Sequence, residues 1–519
     1  MEHRNKQLIV AISFALLFCG SVFIAFPGQY DLFETYRKFF TIIFGCIFIS
    51  IFSWNKCWDL DLIFKVICFS GMLETIYALA QFFKFLPSYN LYYKYTGSFE
   101  NPAVFAMLLA VCTPIATYYA VQKKKGYILW RFTTTYFLIF ICFSEARASL
   151  LAACAGVLII LLDIYQIRKI LLNKWLWIVV IPFFLSLLFL VYRFKADSAN
   201  GRLLIWRVSF EMFCERPLHG FGNGGFRAHY MDYQASYLFS HPDTPFLLLA
   251  DNTNNPFNEY VLVLVNYGIT GILCLFSLLF LLFKRVRSLD SVHKLLLMSL
   301  SVVLTILSLF SYPFSVPFVW VLTGLVIMSA IRPRNRIACL SITSVCLVAI
   351  VISVPKLLDE KKWKVIMQES LAGNTEAVLP DYQQLYEKMY NNGQFLYNYA
   401  AELHFSKHFN ESLKIMQECS VLLNDYDVQM ILGDDCQQIG DTLSAIKYYT
   451  YASQMVPSKL LPHYYIMTLY NEMGDSALAI RTAEKIVSME VKVKRSKAVQ
   501  KIIIEAKDLM KAYSNLYSQ

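Results

Sequence analysis

Three arginines, two amides and a few carboxylates stand where apolar runs of this 519-residue chain begin or end. Arg147 lies in "SEARASLLA" (Ser144–Ala152), at a tight turn between two such runs. Arg202 and Arg207 flank Trp206 in "NGRLLIWRVSFEMFCERPLHGFGNGGF" (Asn200–Phe226). A guanidinium stays charged and meets phosphate through paired hydrogen bonds, so these are candidate anion ligands. Arg202 and Arg207 are five residues apart and fall on different faces of a helix, so one is expected to face a site and the other the headgroups. Asn258 and Glu259 open "NNPFNEYVLVLVNYGITG" (Asn254–Gly271), a polar mouth on an apolar helix closed by G-x-x-G. Glu259, Asp251, His229 and His241 are the titratable groups that could serve as a general base. Asn101, in "YTGSFENPAVFAM" (Tyr95–Met107), is a further candidate ligand.

Each assignment has a plainer alternative. Asn101-Pro102 suits a helix start, with Asn as cap and Pro at the first helical position. Arg147 can reach lipid phosphate by extending its stem along the apolar surface. Glu259 gains from the helix dipole wherever it starts a helix. The "GFGNGG" turn lets backbone N–H groups approach an anion, or is an ordinary flexible turn. It follows no predicted strand, so it is not a dinucleotide-binding fingerprint.

The elements that must hold these groups are membrane helices. The chain is 57% hydrophobic and 16% charged, too apolar for a soluble protein of this length. Runs of about 20 apolar residues, the length a bilayer demands, occur near 7–26, 38–54, 60–84, 102–121, 127–143, 147–164, 174–193, 257–283, 293–311, 313–331 and 337–356. The expected fold is all-α and polytopic, with about 11 spans. The first run follows a basic start but lacks a small-residue cleavage site, so it reads as an uncleaved helix. Basic stretches at Met1–Lys6, Gln122–Gly126, Gln166–Lys174, Lys284–Lys294 and Arg332–Arg336 all fall on one side of such an arrangement. That side is expected to be cytoplasmic, with the N-terminus inside and the C-terminus outside. The net charge of +10 comes mostly from these anchors and gives no nucleic-acid footprint.

The predicted domains are a membrane domain over 1–356, with a long outer loop over 194–256, and an outer domain over 360–519. Leu203, Leu204, Trp206, Val208, Phe210 and Phe213 give the loop an interfacial, amphipathic helix. In the tail, "QQIGDTLSAIKYY" and "NEMGDSALAIRTA" align with Gly440 on Gly474, Asp441 on Asp475 and Ala445 on Ala479. The offset of 34 is the tetratricopeptide period. "FSKHFNESLKIM" (Phe405–Met416) fits a further copy, with Ser412 at the Ala445 position. The tail therefore resembles tetratricopeptide repeats over roughly 390–510 and is expected to form an α-solenoid that binds a protein partner; a generic array of helical hairpins is the alternative. A bridge between Cys419 and Cys436 is conceivable, whereas most other cysteines lie in apolar runs and pack as small hydrophobes.

Guanidinium groups beside an interfacial helix on the outer surface suit a lipid-linked diphosphate, which leaves without a strong acid. The same stretches carry a family resemblance. "TGSFENPAVFA", "SEARASLL", the "GRLLIW…ERPLHGFGNGGF" loop and "FNEYVLVLVNYGITG" resemble the O-antigen ligase and polymerase superfamily, which includes protein O-oligosaccharyltransferases, over roughly 60–330. The resemblance implies a multi-span glycosyltransferase of the bacterial inner membrane. It implies a donor glycan on undecaprenyl diphosphate and an acceptor hydroxyl on lipid A core, on another glycan or on a protein. It further implies inversion at the anomeric carbon, no cofactor and no metal, a periplasmic tail, and Arg147 and Arg202 at the donor diphosphate. Many members place His before the Asn and an acidic residue at the position of Asn266. Here Phe257 precedes Asn258, and Phe257 cannot take a proton, so the base assignment does not carry over. Two other classes stay open: a polysaccharide transporter, disfavoured by the lack of repeats among the spans, and a membrane-anchored scaffold.

Overall fold

Backbone in hydrocarbon must satisfy its own polar groups, and helices do so within one segment. The computed structural model describes residues 2–23, 30–55, 58–88, 90, 92–122, 126–166, 196–289, 293–331, 335–492 and 496–517, and no strand occurs among them. Apolar runs fold as α1 (Glu2–Phe23), α2 (Tyr30–Trp54), α3 (Leu60–Phe82), α4 (Pro102–Val121), α5 (Tyr127–Phe143) and α6 (Arg147–Ile164). After the loop come α9 (Glu259–Arg287), α10 (Lys294–Phe310), α11 (Pro317–Ile331) and α12 (Arg336–Leu371). Six of these helices are long and apolar enough to cross a membrane among the described residues, and four more are apolar but shorter. The span predicted over 174–193 lies outside the described residues. The chain is thus an all-helical membrane protein.

The chain divides into two units. The first comprises Met1–Val191, Phe257–Glu259 and Cys274–Lys364; the second comprises Tyr192–Pro256, Tyr260–Leu273 and Val365–Gln519. The loop over 194–256, assigned by sequence to the membrane domain, therefore belongs to the same unit as the tail. α4 lies at the heart of the first unit, with nearly its whole length buried. Small residues let its neighbours approach, as expected where lipid offers no hydrophobic drive between helices. A Cβ on Gly156 of α6 would come within 2.7 Å of Val303 and 3.0 Å of Pro114. Ser299 Oγ of α10 donates to Gly156 O at 2.9 Å.

In the second unit the loop forms α7 (Ala196–Glu215) and α8 (Gly225–Ser240). The tail forms α13 (Thr375–Met389), α14 (Gly393–Phe405), α15 (Phe409–Leu422), α16 (Tyr426–Ile439), α17 (Thr442–Met455), α18 (Leu461–Glu472), α19 (Ser476–Ser488) and α20 (Lys497–Tyr517). From α13 onward, helices adjacent in sequence pack against each other. Asp441 and Asp475 cap α17 and α19 by accepting the N–H groups of Ser444 and Leu478, and Ala445 and Ala479 are fully buried. The upstream copy reaches the same geometry with different residues. Lys407 takes the left-handed turn position, at φ +64°. Ser412 replaces the buried alanine and donates to Ala400 O at 2.9 Å and to Asp435 Oδ2 at 2.6 Å. Cys419 and Cys436 are buried free thiols, so the bridge considered from sequence is absent.

Candidate functional site

The G-x-x-G helix is broken. Gly268 has φ +64° and ψ −159°, a conformation essentially reserved for glycine. A Cβ there would meet Leu218 O at 2.4 Å. The break frees backbone groups that the loop takes up. Phe221 N donates to Val265 O at 3.0 Å and Gly222 N to Asn266 O at 2.8 Å; Ile269 N donates to Pro217 O at 2.8 Å and Thr270 N to Leu218 O at 3.3 Å. The approach is backbone to backbone, because a Cβ on Gly220 would lie 2.4 Å from Val265 O. The "PLHGFGNGG" segment is therefore a splint for the break. Within that turn the Phe221 and Gly222 N–H groups are spent on carbonyls of α9 and do not face an anion. Asn266 gains a structural role as well. It is 6% exposed, and its Oδ1 accepts Phe226 N at 3.0 Å, capping α8, whose own cap position is Gly224.

The first loop helix is not amphipathic in the way its apolar residues suggest. α7 buries Leu204, Ile205, Val208 and Met212, while Leu203 and Phe210 face outward, so the apolar residues do not share one stripe. Trp206 Nε1 donates to Pro256 O at 2.9 Å. That bond holds the residue that leads directly into Phe257–Asn258–Glu259. Arg202 is one turn before Trp206 and so on the same face, and it is half-buried. Arg207 is exposed and pairs with Glu211 at 3.8 Å, one turn along the helix. The two arginines thus differ in exposure.

Three of the four base candidates, Glu259, His241 and Asp251, are hydrogen-bonded. Glu259 starts α9, and its Oε1 accepts Phe314 N at 3.2 Å, so it ties the helix start to the 3-10 turn Pro313–Ser315. Asn258 is 8% exposed. Phe257 adopts φ +53°, uncommon for a non-glycine residue, with its ring edge-on to Tyr312 at 5.6 Å. His241 ends α8, stacks on Tyr237 at 4.5 Å and bonds Tyr237 O through Nδ1 at 2.9 Å. His229 Nδ1 is 4.0 Å from Asp232 Oδ2, too long for a hydrogen bond. Burial raises the Asp251 carboxyl, but the Asn252 N–H and the Lys492 ammonium at 3.1 Å outweigh it and hold Asp251 below the usual carboxylate range.

In the first unit, Arg147 is the first residue of α6, half-buried, after a turn in which Glu145 is left-handed at φ +56°. Asn101 caps α4: its Oδ1 accepts Ala103 N at 2.8 Å, with Pro102 at the first helical position. The helix-start alternative for Asn101 is the one whose geometry is seen. Sequence reasoning missed what holds the segment before it. Gln81 Oε1 accepts the N–H groups of Thr96 and Gly97, both at 2.9 Å. Glu74 Oε2 accepts Ser98 N at 2.9 Å, and Arg37 donates to Ser98 O at 2.6 Å. Glu74 and Arg37 are 0% and 2% exposed. Glu74, conspicuous in sequence as a charge within an apolar run, was the available signal. A Cβ on Gly97 would fall 2.3 Å from its carboxylate, which explains the glycine in "TGSFENP".

The second unit holds Arg202, Arg207, His229, His241 and Asp251; the first holds Asn101, Arg147, Asn258 and Glu259. Within the second, Trp206 brings the arginine helix to the segment that delivers the Asn258 motif. No curated protein matches the chain. Residues 132–276, the stretch that carries Arg147, Arg202, the splint and the broken helix, match the family model described as O-Antigen ligase, and this match supports the O-antigen ligase superfamily, a glycosyltransferase-type family of membrane enzymes.

Proposed function

We propose that this chain is a membrane glycosyltransferase that moves a glycan from undecaprenyl diphosphate to an acceptor hydroxyl at the periplasmic face, in the manner of an O-antigen ligase. The observation that carries this reading is the family match over the stretch where Arg202 and Trp206 share a helix face and Trp206 holds the residue before the Asn258 motif. Arg202 and Arg147 would receive the donor diphosphate, with Arg207 at the headgroups. A guanidinium binds both phosphates of the leaving group more tightly as charge develops there. The acceptor hydroxyl attacks the anomeric carbon, the bond to the diphosphate oxygen breaks, and the hydroxyl proton passes to a base or to water. Glu259, Asn258 and His241 are the residues proposed to orient the acceptor, and Asn101 is proposed as a further substrate ligand. Phe257 stands where an imidazole would take the proton, so positioning supplies much of the rate.

The fold proposed with this function has about 11 spans, with the tail on the same outer side as the loop. Hydrogen bonds between loop and tail support their sharing a side. The tail, proposed as tetratricopeptide-like, would also meet a protein partner. Polymerase and protein O-oligosaccharyltransferase are the sister reactions; a deletion strain separates them by its lipopolysaccharide ladder and its periplasmic glycoproteins. The direct test is transfer by purified protein from an undecaprenyl-diphosphate glycan in the presence of EDTA. Transfer that depends on Arg202 supports the reading. A fully active Arg202→Ala enzyme sinks the diphosphate clamp.

A further inference from the structure

The tail and the outer loop meet in two places within the second unit. At the first, Asp232 on α8 is a hub: its Oδ1 accepts Asn424 Nδ2 at 2.6 Å and the hydroxyl of Tyr451 on α17. Asn424 is 8% exposed. Its Oδ1 is itself held by Gln429 Nε2 at 2.7 Å, and its N–H donates to Arg227 O at 3.4 Å. Two residues further along α8 is Gln234, 1% exposed, whose Nε2 donates to Met455 O at 2.8 Å. The second place is the segment that runs toward the Asn258 motif. Lys492 Nζ reaches Ala250 O at 3.2 Å and Asp251 Oδ2 at 3.1 Å. Asn252 Nδ2 donates to Asp427 Oδ2 at 2.9 Å, and its Oδ1 accepts Tyr426 N at 3.3 Å.

These contacts are not those of two surfaces that happen to touch. The buried amides of Asn424 and Gln234 left without partners would each cost about 1–3 kcal/mol, so the loop and the tail depend on each other to satisfy them, with the half-buried Asp232 between them. Both sets of bonds fall between the splint and the Asn258 motif in the chain. α8 follows the splint of the broken helix, and residues 250–252 precede Trp206's partner Pro256.

We propose that the tail is an intramolecular positioning domain: the face formed by α16, α17 and the 489–492 turn docks the chain's own outer loop and fixes the segment that delivers Asn258 and Glu259. Asp232, Asn424, Tyr451 and Asn252 are positioning residues, acting through the loop and touching no substrate. This rests on the proposed transfer reaction only for its effect on rate. It also means that the docked face is already occupied, so a separate protein partner would use another surface of the tail.

The test uses the full chain in lipid nanodiscs and compares wild type with an Asn424→Ala/Tyr451→Phe double variant and with Asn252→Ala. Hydrogen exchange is read on peptides covering 225–240 and 250–256, and transfer from an undecaprenyl-diphosphate glycan is read as kcat and donor KM separately. Loss of two bonds to a carboxylate is expected to speed exchange in 225–240 about tenfold or more, while peptides of α14 keep wild-type protection. The kcat is expected to fall about tenfold, with donor KM little changed. Asp232→Asn, which keeps an oxygen to accept both donors, should restore most of what Asp232→Ala loses. Unchanged exchange in 225–240 and 250–256 in these variants overturns the docking. Accelerated exchange with wild-type kcat overturns the positioning role. A wild-type chain inactive on the donor bears on the proposed function alone, and the exchange result then decides the docking by itself.

Discussion

At the scale of single residues, the two loop arginines separate by environment. Arg202 is half-buried on the Trp206 face, whereas Arg207 is exposed and shares a loose ion pair with Glu211. Removing a charge that acts only as the leaving group departs costs about 10²–10³ in kcat. Arg202→Ala is therefore expected to lose transfer on that scale with membrane insertion intact. Arg207→Ala, at an exposed pair worth under about 1 kcal/mol, should keep its rate within about threefold. Equal losses in the two would contradict the split. His404 gives a prediction far from this site. Its Nε2 faces Asp434 at 3.2 Å and its Nδ1 faces Asp435 at 2.7 Å, and these carboxylates raise its pKa to about 9. The unfolded value is about 6.5. A raised histidine stabilises the fold fully below the unfolded value, and that contribution fades as pH rises toward the folded one. Thermal unfolding of the full chain, followed through tail peptides, should therefore weaken from pH 6.5 to 9. His404→Ala should cost about 3 kcal/mol at pH 6 and flatten that slope; a wild-type slope in the variant would contradict the assignment.

At the scale of elements, the loop and the broken helix are one construction. Carbonyls freed at Gly268 are met by N–H groups of Phe221 and Gly222, and loop carbonyls at Pro217 and Leu218 are met by Ile269 and Thr270. Gly268→Ala forces a Cβ against Leu218 O in a conformation that disfavours any side chain. It should destabilise the chain by at least ~2 kcal/mol and abolish transfer. Gly222 also has positive φ but faces open space, so Gly222→Ala should cost only about 1–2 kcal/mol and stay active. A tolerated Gly268→Ala, read by thermal midpoint and transfer rate, would mean that the break is not needed. The motif glycines were legible in the sequence, but their purpose was not. Spacing marked G-x-x-G and "GFGNGG" separately, and nothing local says that one backbone pairs with the other across more than 40 residues. The same limit hid Glu74, Gln81 and Arg37, three residues from two helices that converge on Thr96–Ser98. By contrast, the Asn101 cap, the Asp441 and Asp475 caps and the apolar runs follow from local chemistry, and the structure shows them at those positions.

At the scale of the whole molecule, composition sets the class, since a chain this apolar has few ways to fold outside a bilayer. Tail periodicity marks helical hairpins because each needs a tight turn and a small residue at close approach. The pairing of loop and tail is a different matter: Asp232 with Asn424 and Tyr451, and Asn252 with Asp427, are single polar contacts between segments 175 to 219 residues apart. Such contacts leave no periodic trace, so the tail looked from sequence like a separate module. Glycan transfer from a lipid diphosphate, as proposed, is decided by one assay. Purified full-length protein is given an undecaprenyl-diphosphate glycan and an acceptor panel of lipid A core, free glycan and serine- and threonine-bearing protein, with EDTA throughout. Glycan is expected on one of these acceptors with release of undecaprenyl diphosphate, and both products are expected to be lost in Arg202→Ala. Donor left intact by a folded wild-type chain on every acceptor, or equal product from Arg202→Ala, would contradict the proposal.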